Sequence, residues 1–341
     1  MRRCRDWAMV WLPVLIVIGA AVAAGCAVAA EEQQERSDEV TVRQVDFRGW
    51  EGSYLLANGE VEVVVVPQVA RIMKYAPAGG RNVLWVNPQL VPEKTGGDTE
   101  GLDSWGWLNY GGYKLWPAPQ KAWDWPPPAA LDSGACEVEV TAENTIRLQG
   151  QPSEELGIRF DREIRLAPEG SELVIEQIMV STGDEPVTWG IWEVTQVGSD
   201  CVAFVPLGEG AEYRPGEGEE LDEQWREVEG MLLARPSGAS GKAFITGPPG
   251  WLGCVQEELL YVKSFDIAST PPPEPEAPRE VYVGDQGYVE LEVVGPEVTL
   301  QPGESASLTE TWRLLPFEGG AEDDAELARR IRAAVAPVPP E

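Results

Sequence analysis

The chain has 341 residues, of which 43% are hydrophobic and 24% are charged, and this balance is typical of a globular protein. Its 57 acidic residues outnumber its 26 basic residues, giving a formal net charge of −31. A field of this sign repels nucleic acids and anionic membrane surfaces, so we expect neither as a partner. The sequence has no histidine, which excludes a Ser-His-Asp triad, a Cys-His pair, histidine-ligated zinc and a histidine general acid.

The first 25 residues have the pattern of a secretory signal. A basic start is followed by an apolar run over residues 7–24, although the length of this run also leaves a membrane anchor open. The sequence AAGC at 23–26 resembles a bacterial lipobox and predicts lipidation of Cys26, whereas ordinary cleavage after AVA or AVAA is the alternative. Residues 26–39 are polar and predict a short tether. We therefore expect an exported envelope protein, facing the periplasm or the exterior, that contacts the membrane only through its lipid anchor.

Short runs of alternating or β-branched residues follow one another from residue 40 to residue 317. Turn signals separate these runs, which predicts an all-β protein built from antiparallel sheets. Residues 136–150 have the pattern of a β-hairpin, and residues 322–335 predict a helix with acids first and arginines late. We expect one large domain over 40–320 and a short helix with a tail over 321–341. Strands are predicted within 59–67, 69–77, 156–197, 203–207, 230–236, 242–247, 258–267, 279–284, 287–294 and 305–315.

Three segments interrupt the strand pattern, namely 88–135, the acidic 208–225 and the proline-rich 269–280. Long connections of this kind are usually functional or flexible. Within the first segment, NYGGYKLWPAPQKAWDWPPP (109–128) contains three tryptophans, two tyrosines and five prolines. The prolines stiffen the backbone, and Gly111 and Gly112 permit a tight turn or a close approach.

The aromatic stretch has two interpretations at this stage. Its tryptophans either plug a core or form a rigid wall for the flat face of a sugar ring. In the second case Trp116→Ala would weaken binding and spare the fold, whereas loss of a core tryptophan would cost roughly 3–5 kcal/mol of stability. The tryptophans concerned are Trp116, Trp123 and Trp125, and the polar candidates beside them are Asn109, Lys114 and Gln120.

Side-chain alternation along the predicted strands assigns further candidates to faces. Val289, Leu291 and Val293 are expected in the core, which places Glu290 and Glu292 on the opposite face, either lining a groove or meeting water. In the same way Trp192 and Gln196 share a face of their strand, and Lys263 lies among aromatic neighbours such as Tyr261.

Three cysteines fall inside the predicted domain, at Cys136, Cys201 and Cys254. No CxxC spacing occurs, so we expect no metal cluster. One disulfide with one free thiol and three inert thiols both remain open.

Four segments taken in order resemble an uncharacterised bacterial family of the galactose-mutarotase-like superfamily: GWLNYGGYKLWPAPQ, WGIWEVTQV, LLYVKSFD and YVELEVVGPEVTLQPGESASLTETWRL. The resemblance covers roughly residues 45–317. It implies a β-supersandwich, a large twisted antiparallel domain with a concave sheet open to carbohydrate. Aldose epimerases of that superfamily use a histidine acid and a glutamate base. This chain lacks the histidine, while Glu290 or Glu292 lies near the position of the base and Arg71 resembles an arginine near the sugar site.

The residues and the resemblance together favour an exported carbohydrate-binding protein with no metal and no cofactor. Two alternatives are a carbohydrate-active enzyme, epimerase or glycan-cleaving, that uses glutamate with lysine or tyrosine, and a structural envelope protein. We expect Lys114 and Trp116 to lie near Lys263 and the strand of Glu290. The catalytic candidates are Glu290, Lys263 and Lys114, and the binding candidates are Arg71, Asn109, Trp116, Gln120, Trp192 and Gln196.

Overall fold

Two large antiparallel sheets form the framework of the described residues. The structure is a computed structural model that describes residues 40–100, 106–216, 220–318 and 323–335. Residues 38–341 form one compact unit. The predicted leader, Cys26 and the tether lie outside the described residues. The strands are β1 (Thr41–Phe47), β2 (Trp50–Ala57), β3 (Val61–Val66), β4 (Arg71–Pro77), β5 (Tyr113–Ala118), β6 (Glu137–Ala142), β7 (Thr145–Gln149), β8 (Ile158–Leu166), β9 (Leu173–Ser181), β10 (Val187–Gly198), β11 (Val202–Pro206), β12 (Tyr213–Pro215), β13 (Trp225–Val228), β14 (Met231–Ala234), β15 (Gly241–Ile245), β16 (Trp251–Gln256), β17 (Leu259–Phe265), β18 (Arg279–Val283), β19 (Tyr288–Val294), β20 (Val298–Leu300) and β21 (Ser305–Pro316).

The first sheet has the strand order β1-β2-β3-β4-β5-β10-β19-β18-β15-β12, with β20 also paired to β10. The second sheet has the order β13-β14-β11-β16-β17-β21-β9-β8-β7-β6. Within the described ranges three α-helices accompany the sheets, namely α1 (Pro92–Thr95), α2 (Ala129–Asp132) and α3 (Asp324–Val335), together with 3₁₀ turns at Pro67–Val69 and Gln120–Ala122. The predicted all-β class, the hairpin over 136–150 and the C-terminal helix are therefore confirmed.

Burial along the strands follows the alternation in the sequence. In β9, LVIEQIMVS, every second residue from Leu173 is buried, because one face packs on the core and the other is half-covered. In β19, YVELEVV, all seven residues are buried, because β10 and β18 flank it and both of its faces are covered. Val289, Leu291 and Val293 belong to the main core cluster, as predicted.

The aromatic stretch folds as a strand where the sequence suggested an irregular segment. Its residues Tyr113–Ala118 form β5 and pair with β10 along their whole length, whereas the pairing with β4 joins only Ile72 and Tyr113. Beyond Tyr113 one side of β5 therefore lacks a regular ladder with β4, which leaves room for Pro117, a residue without an N–H group. The prolines and the aromatic strand are thus compatible.

Candidate functional site

The two faces of β10 have different surroundings. Glu193 and Thr195 contact Lys263 of the second sheet, so these side chains point between the sheets. Alternation then turns Trp192 and Gln196 toward the opposite side. We call this side, which points away from the second sheet, the outer face of the first sheet.

The outer face carries an ion pair across three neighbouring strands. Lys114 lies on β5, Gln196 on β10 and Glu290 on β19. The Lys114 ammonium lies 2.9 Å from Glu290 Oε1, and Gln196 Nε2 donates a hydrogen bond of 2.8 Å to the same oxygen. Lys114 is fully buried, whereas 10% of the Glu290 side chain is exposed. The carboxylate is therefore oriented by two donors and still reaches solvent.

Two indole rings surround the ammonium of this ion pair. Lys114 Nζ lies 4.6 Å from the ring centroid of Trp116 and 5.5 Å from that of Trp107. Burial lowers the pKa of Lys114, while the charge of Glu290 acts in the opposite direction. The group therefore combines a desolvated lysine, a carboxylate and aromatic faces, which stabilise a cation.

Asp132 fixes the segment that covers this part of the outer face. Its Oδ2 accepts hydrogen bonds from Arg71 Nη2 at 3.0 Å and from Trp107 Nε1 at 3.2 Å. Its Oδ1 accepts one from Trp116 Nε1 at 2.8 Å. Arg71 also donates to the carbonyl of Gly111 at 3.1 Å. Asp132, on α2, therefore holds one arginine and two tryptophans in place.

Gly111 and Gly112 have positive φ angles of 88° and 69°. A Cβ on Gly111 would lie 2.4 Å from the carbonyl oxygen of Trp85, and one on Gly112 would lie 2.2 Å from that of Ile72. The turn and the close approach expected of these glycines are both present, and the backbone they bring together supports the outer face.

A second ionic group lies on the same face, next to the first. Trp192 Nε1 donates to Glu292 Oε2 at 2.7 Å, and the Lys242 ammonium lies 2.9 Å from that oxygen and 2.6 Å from Glu280 Oε2. Burial raises the pKa values of Glu280 and Glu292, with Lys242 opposing the shift. Trp192 and Lys242 are also in cation–π contact at 4.6 Å.

A row of aromatic rings borders Glu290. The ring centroids of Trp85 and Tyr288 are 4.9 Å apart, and those of Tyr288 and Tyr282 are 6.3 Å apart. Tyr282 pairs directly with Glu290 across β18 and β19. Trp85 and Tyr282 are half-buried, so this row is partly open to solvent.

Several buried polar atoms have no hydrogen-bond partner among the described residues. Oε1 of Gln196 and Oε1 of Glu292 lie on the outer face, and both amide atoms of Asn109 belong to the segment that precedes β5. An unsatisfied buried polar atom costs stability, so such atoms are natural contact points for a bound polar molecule or water.

Most of the predicted site residues meet on the outer face. Lys114, Glu290, Gln196 and Trp116 form one group, and Arg71 joins it through Asp132. The sequence did not single out Asp132, Trp107, Lys242 or Glu280. Lys242 was detectable as one of only six lysines, whereas nothing local distinguishes Asp132.

Some expectations need correction. Gln120 lies in a 3₁₀ turn after β5 and is exposed, and only its backbone N–H bonds to Glu276. Glu290 and Glu292 do not simply meet water, because the neighbouring strands bury them to 7% and 1% exposure. Trp116 and Trp123 are buried at 4% and 8%, as a core plug would be.

Lys263 does not share the face of Glu290. It belongs to β17 of the second sheet, and its side chain fills the space between the sheets. There it contacts Glu193, lies 3.4 Å from Glu310 and donates to the Leu291 carbonyl at 2.9 Å. The alternation of β17 was right, but the covering element was unknown from sequence. Burial, followed by the neighbouring charge of Glu310, raises the pKa of Glu193.

The described residues were also compared with the requirements of a metal site and of a membrane-spanning helix. Within them, no group of three or more histidine, cysteine, aspartate or glutamate side chains is placed to hold a metal ion. None of the helices in the same ranges has the length and apolar character needed to cross a membrane.

Solved structures share this architecture. A putative aldose 1-epimerase from Klebsiella pneumoniae has a TM-score of 0.56 and 14% identity, covering 86% of this chain and 87% of that one. A galactose mutarotase-like protein from Lactobacillus casei has a TM-score of 0.52 and 10% identity, covering 77% of this chain and 100% of that one. A TPR-domain containing protein from Parabacteroides distasonis has a TM-score of 0.53 and 14% identity over 79% of this chain, which spans only 48% of that protein.

These similarities define the fold as a galactose-mutarotase-like β-supersandwich, as the sequence resemblance implied. No curated protein sequence matches the chain. The family model "Domain of unknown function (DUF4380)" matches residues 53–315, which is more than half of the chain. The protein therefore belongs to this family.

Proposed function

We propose that the protein binds carbohydrate on the outer face of the first sheet, at a patch centred on Glu290. The observation that carries this proposal is the geometry of that carboxylate. Lys114 and Gln196 hold one of its oxygens at 2.9 and 2.8 Å, and the side chain keeps 10% exposure. A fixed carboxylate of this kind accepts hydrogen bonds from sugar hydroxyls at little cost in side-chain entropy.

Aromatic rings beside the carboxylate supply the apolar half of a sugar site. Trp107, whose ring centroid lies 5.5 Å from Lys114 Nζ, is half-buried, and Trp125 is 44% exposed. Trp125 packs edge-on against Trp107, with ring centroids 5.0 Å apart. Prolines at 126–128 follow Trp125 directly, so little freedom is lost when its ring contacts a ligand. These rings suit the C–H face of a pyranose.

The charges of the patch favour a neutral or amino sugar. Arg71 is paired with Asp132, Lys114 with Glu290, and Lys242 with two glutamates. Four carboxylates thus accompany three cations, so a sugar phosphate or a uronic acid would meet an excess of negative charge. The net charge of −31 acts in the same direction at longer range.

The fold adds support of a general kind. Two of the similar structures carry the descriptions galactose mutarotase-like protein and putative aldose 1-epimerase, which refer to sugars. The identities are only 10% and 14%, so the descriptions apply to those proteins and not to this one. They support carbohydrate as the class of ligand for this chain, and they do not specify a sugar.

The proposal is tested by screening the full chain against a panel of neutral, amino, uronic and phosphorylated sugars, as monomers and as oligomers. We expect measurable binding of neutral or amino sugars and at least about tenfold weaker binding of their anionic counterparts, which corresponds to about 1.4 kcal/mol. A panel without any binder would reject the proposal. Preferential binding of anionic sugars would reject the charge argument.

A second candidate function is a carbohydrate-active enzyme. Two observations favour it: burial lowers the pKa of Lys114, and the Lys114 ammonium lies 2.9 Å from the Glu290 carboxylate. A lysine and a carboxylate at this distance can exchange a proton during catalysis. Without histidine, the acid–base chemistry would fall to Lys114 and Glu290. Product analysis of every sugar bound in the panel separates the two functions, since a binding protein returns each sugar unchanged. Export and a lipid anchor at Cys26 remain part of the proposal.

A further inference from the structure

We propose that Cys201 and Cys254 form a disulfide when the protein meets a thiol oxidant, and that Cys136 does not take part. The pairing follows from the register of β11 and β16. Ala203 of β11 lies opposite Cys254 of β16, and Cys201 precedes Ala203 by two residues. Residues two apart share a face, so the two cysteines are diagonal neighbours on one side of the second sheet.

The surroundings of the two thiols are consistent with this pairing. Both belong to the same core cluster, with 7% exposure for Cys201 and none for Cys254. Burial raises the pKa of Cys254, and hydrogen bonding to the Cys201 thiol is the next contribution. Cys136, in contrast, is half-buried and donates to the carbonyl of Pro67 at 3.5 Å.

An oxidant can approach this pair from one side. Cys201 lines a surface cleft of about 380 Å³ together with Ser199, Asp200 and Val255. Cys254 has no exposure and does not line that cleft. This asymmetry makes Cys201 the thiol that reacts first with the oxidant and Cys254 the thiol that completes the reaction.

The chemistry is two successive thiol–disulfide exchanges with a low-molecular-weight disulfide such as oxidised glutathione. The Cys201 thiolate attacks one sulfur of the oxidant, whose S–S bond breaks, and the departing thiolate takes up the proton released by Cys201. The Cys254 sulfur then loses its proton and attacks Cys201. The second glutathione thiolate leaves and takes that proton. The protein loses two hydrogens, and the oxidant is reduced to two thiols.

The bond would close a loop that contains β12, β13, β14 and β15. These strands lie at one end of both sheets, where β12 and β13 are the outermost strands. A cross-link that closes a long loop restricts the unfolded chain and raises stability. Because both cysteines lie in the second sheet, the disulfide would join β16 to the start of the neighbouring strand β11.

The test is peptide mapping of the full chain after incubation with oxidised glutathione or with dithiothreitol, with free thiols alkylated before digestion. We expect a Cys201–Cys254 linked peptide after oxidation only, and a melting temperature several degrees above that of the reduced protein. Cys136→Ser is the matched control and should keep both effects, whereas Cys201→Ser should lose both.

Absence of the linked peptide in the oxidised wild-type protein would overturn the proposal, and this result does not depend on any variant folding. A stable glutathione adduct on Cys201 without linkage, or a link through Cys136, would overturn it as well.

Discussion

Replacing Lys263 by alanine is expected to lower the free energy of unfolding by about 3–5 kcal/mol. The residue is fully buried between the sheets and contacts two equally buried carboxylates, Glu193 and Glu310. Its removal leaves both acids without their shared cation and leaves the carbonyl of Leu291 without its donor. Desolvated charge, rather than lost packing, dominates this loss. Denaturant unfolding of the wild type and the variant measures it.

The matched control is Lys74→Ala. Lys74 pairs with Glu62 on β3, and both side chains are partly exposed, at 22% and 27%. A pair of this kind contributes at most about 1 kcal/mol. A triple variant in which Lys263→Met is combined with Glu193→Gln and Glu310→Gln removes all three charges and should recover much of the lost stability. Equal losses for Lys263→Ala and Lys74→Ala would contradict the buried ion cluster.

Trp116→Ala is expected to cost a similar amount, about 3–5 kcal/mol of stability. The indole is 4% exposed, touches four other tryptophans and donates to Asp132 at 2.8 Å. Its loss opens a cavity, leaves a carboxylate oxygen with fewer donors and removes a ring from beside Lys114. The sugar-wall interpretation of this residue, under which truncation would spare the fold, therefore does not apply to it.

Trp125→Ala is the matched control within the same stretch. Because Trp125 is 44% exposed, its truncation should change stability little. It should still weaken sugar binding, since an aromatic platform contributes on the order of 1 kcal/mol. Denaturant curves and binding titrations on both variants separate the two roles. A small stability loss in Trp116→Ala would contradict its place in the core.

The alternation of apolar and polar residues predicted which side chains of one strand share a face. It did not predict what each face contacts. It separated Val289, Leu291 and Val293 from Glu290 correctly, because period two is a local property of a strand. It could not place Lys263, since the choice between groove and interior depends on which sheet covers β17. That information lies in pairings between distant parts of the chain.

Asp132 and β5 show a second limit of prediction from the sequence, which is that contacts between distant segments leave no local pattern. Asp132 gains its role from contacts with Arg71, Trp107 and Trp116, which come from three different parts of the chain. No local pattern around it carries that information. The strand Tyr113–Ala118 lies in a segment that interrupts the strand pattern of the sequence. It forms because β10 pairs with its whole length, while its incomplete pairing with β4 accommodates Pro117.

The proposal that the outer face binds carbohydrate is tested most directly by titrating a sugar identified in the panel into wild-type protein and into Glu290→Gln. The substitution keeps the shape of the side chain and removes the charge to which sugar hydroxyls would donate. Hydrogen bonds to a charged group contribute about 1.5–3 kcal/mol, so the affinity should fall by roughly 10- to 150-fold. Glu139→Gln, on the exposed side of β6 in the second sheet, should bind as the wild type does. Equal affinities for the wild type and a folded Glu290→Gln variant would contradict a sugar site at Glu290.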